Sequence, residues 1–150
     1  MLALVGLGTW QLVGQIPVQE VKRYAQYEGR MRALSQIHQT ATAGGKAYPS
    51  VEKWCDELAT QIPANSDTLG SAKTGCRFGF NARLEGKRSK DVPRDTVAFF
   101  ELRKPGWNMA GGQGLIKRPG DLAEKVVVVT ADGRARLIPS LEVDGLRWDP

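Results

Sequence analysis

The chain has 150 residues, 41% hydrophobic and 25% charged, with a formal net charge of +5. Those values suit one globular domain, with room for an appended segment, and exclude an intrinsically disordered chain. A basic balance favours acidic partners. The densest cationic group, Arg83, Lys87, Arg88, Lys90 and Arg94, is however interrupted by Glu85 and Asp91 and reads as a solvated loop, so nucleic acid is not the expected partner.

Residues 1–18 carry no charged side chain. Eighteen residues stand at the lower limit for a membrane span, and Gly14, Gln15 and Pro17 weaken the apolar character of the second half. The segment reads in three ways: a short membrane anchor, the remnant of one, or an apolar packing segment. The remainder, residues 19–150, reads as one α+β domain.

From Gln19 the pattern becomes helical. Tyr24, Tyr27, Met31, Leu34, His38 and Ala41 follow the 3-4 spacing of one helix face, and Gly44-Gly45 ends the helix. His38 lies on that face and is expected to be a hydrogen-bonded packing residue. A second helix is expected after Pro49, with Ser50 as its N-cap and Trp54, Cys55, Leu58 and Ile62 on its apolar side. Pro63 stops it, because proline disfavours the helical conformation in the preceding residue. Polar loop residues follow to Gly75.

Cys76–Phe80 and Asp95–Leu102 read as strands, the second buried on both faces. The glycines between Pro105 and Gly120 speak against either a helix or a strand there. Lys125–Thr130 is a β-branched strand, and Asp132-Gly133 signals a type I′ hairpin returning through Ile138. Trp148 is expected to dock on the sheet. Helices followed by strands predict an α+β layer fold, a long N-terminal helix on a small antiparallel β-sheet.

The two cysteines, Cys55 and Cys76, can form a disulfide, remain as buried thiols, or be half of a metal site. With no Cys-x-x-Cys spacing and His38 far away in sequence, zinc is disfavoured. A disulfide is expected if the domain lies outside the cytoplasm, where it would stabilise by about 3 kcal/mol.

The order of elements resembles the type IV pilin-like proteins, especially the type II secretion pseudopilins and related prepilin-like proteins of planctomycete-type bacteria. The likeness is carried by Gly45-Lys46-Ala47-Tyr48-Pro49, Cys76-Arg77-Phe78-Gly79-Phe80-Asn81, Phe100-Glu101, Gly106-Trp107-Asn108, Gly111-Gly112 and Thr130-Ala131-Asp132-Gly133. It implies a non-catalytic structural subunit of a bacterial envelope or secretion assembly. Its partners would be like subunits, met through the N-terminal helix, and the membrane. Its place would be the inner membrane with a periplasmic domain, or the periplasm or exterior. The family's prepilin cleavage signature is absent from the apolar segment. The histidine that many relatives carry before the hairpin is also absent, and Lys117-Arg118 stands in that region.

Glu101, Asn108, Asp121 and Asp132 could offer oxygen ligands, but calcium takes about six to eight oxygens and the carboxylates are few. Structural roles are expected instead: Asp132 and Gly133 in the turn, Asn108 in loop hydrogen bonds, and Glu101 paired with a cation. Gly111-Gly112-Gln113-Gly114 lacks the Gly-Lys-Ser/Thr of a phosphate loop. No catalytic residue, metal or cofactor is expected. The alternative reading is a soluble basic module using the Arg83–Arg94 loop on an acidic partner such as nucleic acid.

Overall fold

A computed structural model describes residues 18–63 and 66–150. The expected apolar segment therefore falls outside the described residues, apart from Val18. Helix α1, Val18–Thr42, is 25 residues long, about 37 Å at 1.5 Å per residue. Ala43–Gly45 closes it in a tighter turn, where Gly44 and Gly45 adopt φ of 69° and 73°. Only glycine takes two such left-handed positions in succession at no steric cost.

The packing face of α1 is shorter than its sequence stripe. Tyr27, Leu34, Ile37, His38 and Ala41 are buried and Met31 is half-buried, whereas Tyr24 is 67% exposed. Tyr24 thus departs from the expected face, because the sheet ends before it. Ile37, absent from the expected stripe, is fully buried. Burying Leu34 and Ile37 contributes about 1.5–3 kcal/mol each.

Helix α2, Trp54–Ala59, has six residues and begins three positions later than Ser50 capping would place it. Ser50 Oγ instead accepts the Glu52 N–H in the preceding turn. Trp54, Cys55, Leu58 and Ile62 are all buried, as the apolar pattern predicts.

Five strands follow: β1 Cys76–Asn81, β2 Val97–Gly106, β3 Ala110–Gly111, β4 Lys125–Thr130 and β5 Ala135–Pro139. They form one sheet in the order β3-β1-β2-β4-β5. The sheet is mixed rather than purely antiparallel. β3 runs parallel to β1, with Phe80 opposite Ala110, while the other neighbours are antiparallel. The glycine-rich stretch thus does hold a strand, a two-residue one that covers the open edge of β1 and is secured by the Phe80 N–H on the Met109 carbonyl at 3.0 Å.

Alternation divides the core. Phe78, Phe80, Phe99, Val127 and Val129 meet α1, Tyr48 and Trp54 on one face. Val97, Phe100, Leu102, Val126 and Val128 meet Ile116, Val143 and Trp148 on the other. The unbroken valine run of β4 is what burial on both faces requires. Trp148 packs edge-on against Phe100 with ring centroids 5.0 Å apart, on the face away from the helix. A Cβ at Gly79 in β1 would stand 2.7 Å from Leu102 Cδ2 and 3.0 Å from the Phe100 ring, so any larger residue there requires those side chains to shift.

The hairpin between β4 and β5 is not type I′. Among its residues only Gly133 is left-handed, at φ 82°, so the Asp-Gly pair does not supply the two positive angles that turn needs. The Gly133 N–H closes onto the Thr130 carbonyl at 2.8 Å and the Thr130 N–H onto that of Arg134 at 3.1 Å. That pattern fits a three-residue loop with a glycine bulge.

Candidate functional site

Three polar clusters are built into the domain. The first joins the end of α1 to the hairpin. His38 Nε2 and Tyr48 Oη share a buried hydrogen bond of 2.8 Å, and the His38 ring lies beside Gly133. Burial lowers the His38 pKa to about 4, against a smaller opposing pull from Asp132. Burial, and then the Asp132 charge, pushes the Tyr48 hydroxyl well above its ordinary range. At neutral pH the pair is therefore uncharged and holds its protons. That is packing chemistry, as expected for His38, rather than acid–base chemistry.

Asp132 accepts from Thr130 Oγ1, from the Arg134 N–H at 3.2 Å and from Arg136 Nη2 at 3.1 Å. Burial would raise its pKa, but these hydrogen bonds and the Arg136 charge outweigh it and hold the carboxyl below the usual range. Asp132 and Gly133 thus shape the turn between β4 and β5.

The second cluster forms around α2. Six residues cannot hold a helix by propensity alone, and Lys53 at its N-terminus supplies no side-chain cap. Asn108 does so from the loop between β2 and β3. Its Oδ1 accepts the N–H of Cys55 at 2.7 Å and of Asp56 at 3.3 Å, while its Nδ2 donates to Asp56 Oδ2 at 2.7 Å. Trp107 Nε1 donates to the other Asp56 oxygen at 2.9 Å. These two donors, Trp107 first, lower the Asp56 pKa. Asn108 holds φ at +55°, the single non-glycine residue among those described with a left-handed backbone. Asparagine tolerates that region better than most residues.

Cys55 and Cys76 meet beneath this cap. Both are buried free thiols, so the expected disulfide is not formed in this structure. The neighbouring Cys76 thiol, with burial adding to the effect, raises Cys55, and the same pairing lowers Cys76. The Cys76 sulfur also accepts the Phe78 N–H, and the Cys55 sulfur that of Asn108. The pairing read from the sequence is present as a juxtaposition, and its oxidation depends on redox surroundings.

The third cluster is centred on Glu101, a buried carboxylate in β2. Its Oε1 accepts the Val127 N–H at 2.7 Å, and its Oε2 lies 3.2 Å from Arg30 Nη1 and 3.9 Å from Lys117 Nζ. The expected cation pairing is thus realised twice. Arg30 is the residue that the sequence reading missed. It stands three positions after Tyr27 and four before Leu34, so the helical period already put it beside the buried stripe.

No three His, Cys, Asp or Glu side chains among the described residues gather closely enough to hold a metal ion. Asp121, weighed as a ligand, instead accepts the Ala123 N–H in its own turn. The cations of the 83–94 loop stand exposed on a backbone pinned by buried Leu84 and Val92. No described helix is long and apolar enough to cross a membrane.

No family model, curated protein or solved structure matches the chain.

Proposed function

We propose that the protein is a non-catalytic, pilin-like or pseudopilin-like subunit of a bacterial envelope or secretion assembly. Its head is presented outward, and it joins like subunits through the first turns of α1. Residues 1–18 would hold it at the inner membrane, with the domain on the periplasmic side. The observation that carries this reading is the division of α1 into two parts. From Tyr27 onward the helix is covered by the sheet, whereas Val18, Val21 and Tyr24 are 69%, 58% and 67% exposed. Apolar side chains on an uncovered helix end, next to an uncharged segment, suit helix-to-helix packing. Covering each would contribute about 1–2 kcal/mol to an interface.

The test is self-association of the full chain in detergent micelles, measured by sedimentation. The wild type should associate at micromolar concentration. Val21→Glu with Tyr24→Glu should abolish association while leaving the urea midpoint of the head unchanged. A wild type that stays monomeric throughout, or a double variant that associates equally well, would refute the reading. A wild-type chain recovered as a soluble monomer with salt-sensitive binding to nucleic acid would favour the basic-module alternative.

A further inference from the structure

Beside the exposed turns of α1 lies a cleft of about 310 Å³, between the helix and the approach to β4. Its size is at the lower end of the roughly 300–1,000 Å³ of small-molecule sites. Its lining gathers cations that are distant in the sequence. Lys22, Arg23, Arg30, Lys117 and Lys125 converge there from three segments, with Glu124 as the carboxylate on the rim. Counting Glu101 behind Arg30 and Lys117, the cations exceed the carboxylates by three.

The site is partly organised in advance. Glu101 draws Arg30 and Lys117 to one oxygen, fixing two cations relative to each other. The Tyr27 hydroxyl accepts the Lys125 N–H at 2.9 Å, which joins the helix to the start of β4 and leaves the phenolic proton to donate. Arg30 Nε is buried with no hydrogen-bond partner in the structure. A buried guanidinium donor without an acceptor is unfavourable, and an anion oxygen would satisfy it. Among the described residues, Lys22, Arg23 and Lys125 have no carboxylate within ion-pair distance.

We propose that this cleft binds a phosphate-type anion, either free phosphate or the phosphodiester of an anionic lipid headgroup. Tetrahedral oxyanions match the donor set: two guanidinium and three ammonium groups, with a carboxylate that would select against excess negative charge. The inference does not rest on subunit assembly, since a monomer carries the whole cleft.

The experiment uses the full chain and two probes. Inorganic phosphate is titrated against the protein by calorimetry, and binding to phosphatidylcholine vesicles is measured with and without phosphatidylglycerol. Lys22→Gln with Lys117→Gln should weaken binding at least about tenfold, as the loss of charge-assisted contacts predicts. Glu124→Gln should tighten it, and Lys87→Gln with Arg88→Gln, in the distant loop, should change nothing. That pattern with inorganic phosphate identifies a free-anion site. The same pattern confined to the phosphatidylglycerol vesicles identifies a headgroup site. If the cleft and loop variants weaken binding equally, or if neither weakens it with either probe, the proposal is overturned.

Discussion

Between pH 7 and pH 5 the protein should lose stability through one side chain, His38. In the unfolded chain it titrates near 6.5, while in the fold burial holds it near 4. Over that interval the unfolded state binds the proton and the native state does not, so stability falls as pH falls, and the loss due to His38 is complete below about 4. The gap corresponds to roughly 3 kcal/mol in total, of which about 2 kcal/mol should disappear between pH 7 and pH 5. The groups facing His38 do not change charge in this window: Asp132 is held below the usual carboxylate range and Tyr48 is pushed up. Urea unfolding at pH 7, 6 and 5 should show a midpoint shift of roughly 1 M for the wild type. The variant His38→Gln, although less stable at pH 7, should show a much flatter dependence. Because His38 is the single histidine, its proton NMR signal is unambiguous and should not titrate above pH 5 in the folded protein. A native titration near 6.5, or parallel pH dependences for wild type and variant, would refute the reasoning.

Three further outcomes are expected. Asn108→Ala removes the cap on α2 and strains a left-handed backbone, and should cost about 2–3 kcal/mol; Asn108→Gly, free of that strain, should cost about 1 kcal/mol less in the same denaturation assay. Glu101→Gln leaves the part-buried Arg30 without its counter-charge and should cost about 3 kcal/mol, with a double-mutant cycle against Arg30→Met recovering more than 1 kcal/mol of coupling. Mild oxidation should join Cys55 to Cys76, seen as a loss of two mass units and of both titratable thiols under denaturing conditions, and should stabilise the fold by about 3 kcal/mol.

The strands and the long helix were legible because each buries a continuous pattern. The Lys125–Thr130 run and the Tyr27–Ala41 stripe belong to one element apiece, and periodicity reports such elements directly. What escaped depends on distant partners. Whether Tyr24 is covered is decided by where the sheet ends. The start of α2 is set by Asn108, more than fifty positions away. Ala110–Gly111 becomes a strand because β1 has a free edge, and the hairpin type was misread because dipeptide preference does not report the φ of Asp132. The cationic cleft was illegible for the same reason, since Lys22, Arg30 and Lys117 meet only once α1 lies on the sheet.

The Asn108 cap also ties together events that would otherwise be independent. Helix α2 cannot persist without the loop that holds its first amides, and that loop leans on Asp56 and Trp54 in return. The two should therefore open and close as one local unit, well below the cost of unfolding the whole sheet. The thiols lie beneath this unit, so their labelling rate becomes a clock for its opening. Hydrogen exchange at the Cys55 and Asp56 amides should keep the same time.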